Sequence, residues 1–389
     1  MNNIDQNTKI ARNIHSNSLT MSDATKKYTT IHYQGYLELE KILNAQHPRS
    51  AELEEKPAHD EMLFIIVHQV YELWFKQILH ELESVVEMFE KQWVDERNIG
   101  SAVSRLERIV EIQKLLIQQI RVMETMTPLD FLDFRNYLFP ASGFQSFQFR
   151  KVEVLLGLKP GQRLTYNEAP YTAVFTDSQR RELEELENGA TLFEVVEAWL
   201  ERTPFLEFRG FNFLAYYRSA VQNMLERERA AIESSEYLSP EKKKMRLQML
   251  GSTDTYFQSV LDPKAHRQMR EEGKLRLSYK ASIAALLINL YRDEPILQMP
   301  FNLLMRLMDI DEMLTTWRYR HAQMVMRMLG RKVGTGGSSG YDYLHATAVK
   351  HHIFKDLHNI STLLIPRSEL PELPKELKEG LGFHFSQKR

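Results

Sequence analysis

Apolar side chains recur at helical spacing along most of the chain, with polar side chains between them. The clearest series alternates steps of four and three residues and comprises Ile310, Leu314, Trp317, His321, Met324 and Met328. This spacing places the six side chains on one face of an α-helix, the face that turns towards a core. Gly330 follows as a residue that commonly ends a helix. The pattern therefore predicts a long helix with His321 inside its apolar face.

A second apolar series predicts a helix from about residue 59 to residue 91. Its members are Phe64, His68, Tyr71, Phe75, Leu79, Leu82 and Val86. A second histidine, His68, therefore also lies within an apolar stripe. A lone histidine on such a face is most often a hydrogen-bonded core residue, but two of them on two long helices suggest a shared site.

Further helices are expected at residues 95–126, 129–140, 279–292 and 341–364, and Pro300 is expected to precede the helix of His321. Ser142 and Gln145 have the spacing of a capping box for the helix after residue 140. The helix at 95–126 has a long candidate core, which consists of Val103, Leu106, Ile109, Val110, Ile112, Leu116, Ile120 and Met123.

Breaks in this pattern divide the chain. Residues 1–27 are polar and predict a disordered arm, whereas residues 28–366 predict one helical domain. Proline and glycine at 160, 161 and 170 mark the start of an auxiliary helical subdomain, at about residues 157–275. Residues 367–389 predict a loosely held tail. No repeat and no sustained β alternation is present, so the expected fold is all-α, with a core of long antiparallel helices.

Composition supports this prediction and excludes several classes of protein. The 389 residues include only 16 glycines and 14 prolines, and this low content favours long helices over turn-rich sheets. Lys plus Arg (50) nearly balance Asp plus Glu (52), so no basic surplus points to nucleic acid or to an anionic membrane. The absence of cysteine excludes disulfides, thiolate catalysis and iron–sulfur clusters. Without an apolar leader or a run long enough to cross a bilayer, a cytoplasmic protein is expected.

Several common sites are excluded by spacing. None of the 13 histidines follows a glutamate by three residues, and no two are four residues apart, which removes the helical di-iron and H-E-x-x-H zinc patterns. The stretch GTGGSSG, at residues 334–340, follows a predicted helix and lacks the G-K-[ST] ending of a phosphate-binding loop. We expect it to be a mobile loop beside the site.

The remaining chemistry lies in the two histidines and in an arginine on an aromatic helix face. Phe131 and Arg135 are four residues apart and so share a face of the 129–140 helix. Haem binding needs one imidazole for the iron, an apolar slot and a few polar groups. The planar guanidinium of Arg135 suits a carboxylate. These residues are compatible with a haem site, and a cofactor-free helical scaffold in which both histidines belong to the core remains an alternative.

Four blocks of the sequence resemble the tryptophan 2,3-dioxygenase family. They are HDEMLFIIVHQVYELWFKQIL, MTPLDFLDFRNYLFPASGFQSFQFR, EAWLERTPF with GFNF, and WRYRHAQMVMRMLG followed by GTGGSSGYDYL. Together they extend over most of the chain from Tyr33 to about residue 366, and each holds a different part of one site. Agreement over several such blocks is far more specific than one short motif.

The resemblance implies an all-helical protein with a haem-binding core that carries haem b, ferrous in its active form. It also implies the reaction of L-tryptophan with O2 to give N-formylkynurenine, the first step of the kynurenine pathway. Members of this family are usually homotetramers, and the segment with Tyr33 and Tyr36 reaches into the site of the neighbouring subunit. The active site would then depend on assembly.

On the substrate side, the resemblance assigns His68 as the distal histidine, hydrogen-bonded to the indole N–H. Arg135 would bind the substrate carboxylate, and Thr335 in the glycine loop would contact the amino-acid end. Phe64 and Phe131 would pack against the indole.

On the cofactor side, the resemblance assigns His321 as the proximal iron ligand, with Trp317 beside it. Ser142 and Gly143 would line the haem, although a plain N-cap is the competing role for Ser142. Three alternatives to the dioxygenase remain open at this point: a haem monooxygenase acting on a modified tryptophan or an indole, a non-catalytic haem sensor, and the cofactor-free scaffold.

Overall fold

The computed structural model describes residues 30–91, 93–164, 170–204, 206–208, 210–332 and 340–381. Within these ranges nearly all regular structure is helical. The strands found there, Glu207–Phe208 (β1) and Phe211–Asn212 (β2), form one short antiparallel pair in which Glu207 lies opposite Asn212. The predicted all-α fold is confirmed.

The helices are labelled in chain order. The first nine are α1 Tyr33–Tyr36, α2 Leu39–Leu43, α3 Arg49–Leu53, α4 Glu61–Glu90, α5 Glu96–Met123, α6 Pro128–Arg135, α7 Phe147–Leu156, α8 Asp177–Asn188 and α9 Leu192–Glu201. After the strands follow α10 Phe213–Ser234, α11 Pro240–Leu261, α12 Pro263–Glu271, α13 Tyr279–Leu290, α14 Pro295–Leu329, α15 Gly340–Lys350, α16 Lys355–Ile360 and α17 Lys375–Leu381.

Contacts along the chain define two units, Met1–Pro48 and Arg49–Arg389. The smaller unit holds α1 and α2, and the larger unit holds all the other labelled elements. The segment 157–275 lies within the larger unit, and its helix α9 packs against α4 and α13. The predicted boundaries of the arm, the auxiliary subdomain and the tail stay predictions.

The long helices α4, α5 and α14 form the framework of the larger unit. Their packing is extensive, because α14 lies along both α5 and α15, while α4 lies along α5 and α7. The predicted spans 59–91 and 95–126 agree with α4 and α5. All eight candidate core residues of α5 are buried: Val103, Leu106, Ile109, Val110, Ile112, Leu116, Ile120 and Met123.

Local capping determines where the site-bearing helix α6 begins. The Thr127 side chain accepts a hydrogen bond from the backbone N–H of Asp130, and the Asp130 side chain accepts one from the N–H of Thr127. Pro128 occupies the first helical position, where its missing N–H costs nothing. This start places Phe131 and Arg135 on the same side of α6, as the sequence predicted.

The prediction for Pro300 is wrong. α14 begins at Pro295, and Pro300 lies inside it rather than before it. A proline that close to a helix start removes one backbone hydrogen bond, near the N–H groups that have no intrahelical partner anyway. The apolar face of the helix continues through it, since Leu297, Leu303 and Leu304 are buried.

The single helix predicted at 341–364 is also wrong. The chain forms α15, then α16 and a 3-10 turn at Ser361–Leu363. Asp311 of α14 explains the break, because its buried carboxylate accepts hydrogen bonds from the N–H groups of Ile353 (3.0 Å) and Phe354 (3.2 Å). These backbone groups bond to a side chain of another helix instead of continuing α15.

Two groups of buried apolar side chains matter for the site. The larger fills the space between α4, α5, α9, α10, α13 and α14. It includes Leu373, Leu377 and Leu381, so residues in the predicted tail pack more closely than the sequence indicated. The smaller group lies around the first half of α4 and consists of Val67, Met123, Met126, Phe134 and Met328. In the part of the chain that is described, no helix has the length and apolar character needed to span a membrane.

Candidate active site

The apolar stripe of α4 has two parts with different surroundings. Phe75, Leu79, Leu82 and Val86 are buried in the larger core, whereas the earlier members of the stripe keep accessible surface. His68 in particular is exposed. The stripe is therefore less deeply buried in the first half of α4 than in the second half.

The stripe of α14 divides in the same way. Ile310 and Leu314 are buried in the larger core, and Trp317, His321 and Met324 are only partly buried. Met324 packs on the smaller apolar group, which the first half of α4 also borders. The two predicted histidines therefore leave the core in the same region of the molecule.

The His68 ring has a defined orientation. It lies 4.1 Å from the Phe64 ring, centroid to centroid, at an interplanar angle of 35°. Its Nδ1 lies 2.7 Å from the Phe64 carbonyl oxygen, which can only accept, so Nδ1 carries the proton and donates. In the neutral ring Nε2 is then a hydrogen-bond acceptor directed away from its own helix turn.

The protonation of His68 favours that role. Desolvation by the surrounding protein lowers its pKa, against smaller opposing effects of the Phe64 hydrogen bond and of the Glu72 carboxylate. The pKa therefore lies below the ordinary value of 6.5, and the ring is neutral at pH 7. The Nε2 atom of a neutral His68 can accept a hydrogen bond from a donor such as an N–H group.

His321 is the second histidine of this region. Its ring stacks on Trp317 at 5.3 Å, with an interplanar angle of 26°. Burial, with a smaller contribution from the proximity of His68, lowers its pKa to about 4, so the imidazole is neutral with a lone pair to offer. Its Nδ1 is fully buried and makes no hydrogen bond within the described part of the chain.

Helix α6 supplies an aromatic wall opposite α4. Phe131 lies 5.8 Å from Phe64, and Phe134 lies 5.5 Å from Phe64 and 5.4 Å from Phe131. Phe134 is completely buried, whereas Phe131 and Arg135 remain partly accessible. The structure therefore brings together Phe64, His68 and Phe131, with Arg135 one turn further along the same helix.

The segment after α6 has the predicted capping box. The Ser142 hydroxyl accepts a hydrogen bond from the Phe144 N–H, and the Gln145 side chain accepts one from the Ser142 N–H. The capped element is a 3-10 turn at Gly143–Gln145, and α7 has its own cap, Ser146. The N-cap role of Ser142 is confirmed, and its predicted position beside a haem stays a prediction.

Glu72 was not identified from the sequence, yet it connects this segment to α4. Its carboxylate accepts hydrogen bonds from the Ser146 hydroxyl (2.6 Å) and from the Gln148 side-chain amide (2.9 Å). Glu72 lies one turn after His68, so the histidine and the Ser142–Gln145 turn are held in a fixed relation. A glutamate on a long helix gives no sequence signal for such a contact.

Two predicted site residues are not placed by these contacts. Thr335 belongs to residues 333–339, which lie outside the described ranges. Tyr33 lies in the smaller unit, where its side chain is 69% exposed, and Tyr36 is 70% exposed. Their predicted roles stay predictions.

The region fits a haem in three respects. A neutral imidazole with a buried nitrogen that has no protein partner is suited to binding iron, and here a stacked tryptophan holds its ring. Phe64, Phe131, Met324 and Met328 supply an apolar lining. Both histidines keep accessible surface between helices that otherwise bury their apolar faces.

Fold and site together define an all-α protein in which two neutral histidines, a cluster of phenylalanines and an arginine lie near one another on long helices and on α6. The profile of the tryptophan 2,3-dioxygenase family matches residues 18–364 of the chain. The chain belongs to the tryptophan 2,3-dioxygenase family.

Individual relatives agree with this assignment. The chain is 53% identical over 359 residues to tryptophan 2,3-dioxygenase of Bdellovibrio bacteriovorus, covering 92% of this chain and 100% of the relative. It is 46% identical over 365 residues to the enzyme of that name from Dictyostelium discoideum, covering 94% and 91%. Tryptophan 2,3-dioxygenase B of Danio rerio is 49% identical over 343 residues, covering 88% and 84%.

Proposed function

We propose that this protein inserts both atoms of O2 across the indole C2–C3 bond of L-tryptophan, giving N-formylkynurenine. Membership of the family supports the reaction and the use of haem b. The observation that carries the substrate assignment is the fixed tautomer of His68. Its Nδ1–H donates to the Phe64 carbonyl at 2.7 Å, which leaves Nε2 to accept the indole N–H.

His321 is the proposed axial ligand of the haem iron, with Trp317 stacked on its ring. Ser142 and Gly143 are proposed to line the haem edge, where the Glu72 contacts hold the following segment. The haem, ferrous in the active protein, supplies the oxygen chemistry when bound. The protein's own contribution is to position the substrate and to exclude water.

The substrate would be held at both ends. Phe64 and Phe131, whose rings lie 5.8 Å apart, would provide an aromatic surface for the indole, and Arg135 would form a bidentate pair with the carboxylate. An indole without that carboxylate would lose this charge-assisted pair, which contributes about 1.5–3 kcal/mol. Thr335 is proposed to contact the amino-acid end from the glycine loop.

His68 orients the substrate and does not act as an obligatory base. The indole N–H is a very weak acid, and the lowered pKa of His68 makes its ring a weaker base than free imidazole. A hydrogen bond from the indole N–H to Nε2 would set the position of the reacting carbons. This positioning is what the geometry of α4 provides.

Assembly and location are part of the proposal. We infer a homotetramer in the cytoplasm, in which Tyr33 and Tyr36 contribute to the site of a neighbouring subunit. Both side chains are exposed in the single chain, which leaves them accessible to another copy.

The proposal is tested with haem-reconstituted, chemically reduced protein mixed with L-tryptophan in air-saturated buffer. The near-ultraviolet absorbance of N-formylkynurenine and the Soret band are recorded together. Growth of product with the Soret band retained is the expected result. A Soret band without product, or a product with one oxygen atom, would contradict the dioxygenase reaction, and the absence of any Soret band would contradict the haem assignment.

A further inference from the structure

A buried carboxylate, Glu153 of α7, is surrounded by three arginines. It accepts hydrogen bonds from Arg150 (2.8 Å), Arg163 (2.6 Å) and Arg318 (2.8 Å). The Glu153 side chain is 1% exposed, and those of the arginines are 9%, 4% and 3% exposed. We refer to these four residues as the arginine cluster.

The arginine cluster has an excess of positive charge. Three guanidinium groups are protonated at any physiological pH, and the charges of all three hold the pKa of Glu153 well below its usual range despite its burial. Three positive charges and one negative charge leave a net charge of +2. Buried charges normally occur with a compensating partner, because desolvation otherwise costs several kcal/mol per ion.

Among the residues that the structure describes, the groups next to the cluster do not supply the missing negative charge. Burial lowers the pKa of His351 to about 4, so it is neutral at pH 7. Burial raises the pKa values of Tyr171 and Tyr343, so neither is a phenolate. Glu187 reaches the cluster only indirectly, by accepting a hydrogen bond from the Tyr171 hydroxyl, while Arg163 lies 4.1 Å above the Tyr171 ring.

Three guanidinium nitrogens of the cluster also have unused hydrogen-bonding capacity. Arg150 Nε, Arg163 Nε and Arg163 Nη2 are buried without a hydrogen-bond partner among the residues the structure describes. Buried donors of this kind are normally satisfied by protein, water or a ligand. Both the charge and the open donors therefore call for a buried anion.

Two chains of contacts lead from the cluster to the candidate active site. Phe149, the neighbour of Arg150, lies 5.1 Å from Trp317, which stacks on His321. On the other side, Arg150 acts electrostatically on Tyr343, whose ring lies 5.3 Å from Phe144, next to Gly143. Phe149 and Tyr343 thus connect the arginine cluster, through its member Arg150, to the residues of the candidate active site.

We propose that the arginine cluster is the counter-charge for the propionate groups of the haem, with Arg150 as their direct hydrogen-bond donor. This inference rests on the proposed function. Haem b carries two carboxylates, and their charge of −2 equals the excess of the cluster in magnitude. Arg318 is already bonded to Glu153 and to the His351 carbonyl, so it acts through its charge and by holding Glu153. Arg163, which lies over the Tyr171 ring, contributes its charge and also holds Glu153.

The test compares two ligands that differ only at the carboxylates: ferric protoporphyrin IX and its dimethyl ester. Each is titrated into the apoprotein, and binding is followed by the Soret band. The wild-type protein should bind the free acid about tenfold or more tightly than the ester, because a hydrogen bond to a charged group contributes about 1.5–3 kcal/mol. Arg150→Gln should lose most of this preference by weakening the acid alone.

A matched control is Arg108→Gln. Arg108 also forms a 2.7 Å ion pair with a buried glutamate, Glu81, but between α4 and α5 and outside the cluster. It should leave both affinities unchanged. If Arg150→Gln does not fold, as judged by circular dichroism, Arg163→Gln removes the same unit of charge and should reduce the preference by a smaller factor.

The outcomes distinguish a failure of the proposed role of the arginine cluster from a failure of the proposed haem binding. Equal binding of acid and ester by the wild-type protein would overturn the role of the cluster while leaving haem binding intact. A loss of affinity in Arg150→Gln that is equal for the acid and the ester would also overturn the role of the cluster. Failure of both ligands to give the shifted Soret band of a protein-bound haem would overturn the proposed function itself.

Discussion

Replacement of His68 by alanine distinguishes an orienting histidine from a catalytic base. In the structure Nδ1 donates to the Phe64 carbonyl, so the neutral ring can offer one acceptor, Nε2, to the substrate. His68→Ala removes that acceptor and leaves the Phe64 and Phe131 rings in place. One hydrogen bond between neutral groups contributes about 0.5–1.5 kcal/mol.

This energy predicts a modest loss of activity. Because about 1.4 kcal/mol corresponds to a factor of ten, kcat/KM for L-tryptophan should fall by about twofold to twelvefold. A general base would instead contribute about 100- to 10,000-fold. Steady-state assays of N-formylkynurenine formation, normalised to haem content, measure the difference. A loss beyond about 100-fold, with normal haem content, would refute the orienting role.

A substrate without the indole N–H provides the control. 1-Methyl-L-tryptophan cannot donate to Nε2, so the wild-type protein should process it less well than L-tryptophan. In His68→Ala this preference should become smaller, because the alanine neither accepts the hydrogen bond nor crowds the methyl group. An unchanged preference in the variant would show that His68 and the indole nitrogen do not interact.

Four other variants test separate parts of the account. Arg135→Ala should raise the KM for L-tryptophan by about tenfold or more, through loss of a charge-assisted pair, and an unchanged KM in steady-state kinetics would remove the carboxylate assignment. His321→Ala should lose the wild-type haem spectrum after reconstitution, and a normal Soret band would exclude this ligand. Glu72→Ala removes the acceptor of the Ser146 hydroxyl and should lower the free energy of unfolding, measured with urea, by about 1–3 kcal/mol; full stability would show that the contact is dispensable. The folded-state pKa of His351, about 4, lies below its unfolded value of about 6.5. As the pH decreases from about 6.5 to about 4, the unfolded state binds a proton before the folded state does, so the free energy of unfolding decreases over this range. His351→Gln should flatten that fall in urea titrations, and an identical pH dependence would contradict the lowered pKa.

Helical periodicity was sufficient for the long elements. The eight apolar positions of α5 were all buried, because a helix that packs on several neighbours must turn one continuous stripe inwards. The break between α15 and α16 was not predictable in this way. It arises from Asp311, a side chain 42 residues before Ile353, and periodicity contains no information on such a contact.

Helical periodicity predicted only part of the candidate active site. The sequence placed His68 and His321 on apolar stripes, and resemblance to a family assigned their roles. The structure shows that both histidines lie on the less deeply buried part of their stripes, where the rings keep accessible surface. Apolar spacing is identical for a residue in a core and for one in a pocket wall, so the sequence could not separate these environments.

The sequence by itself determined the all-α class, the long helices and the identity of the residues with suitable chemistry, because these depend on local spacing and side-chain type. Tertiary structure decided which of those residues meet. It fixed the tautomer of His68, connected Glu72 to the segment after α6 and gathered three arginines around Glu153. Each of these contacts joins side chains to partners on another turn or element, and their energies depend on distance and burial, which exist only in the folded chain.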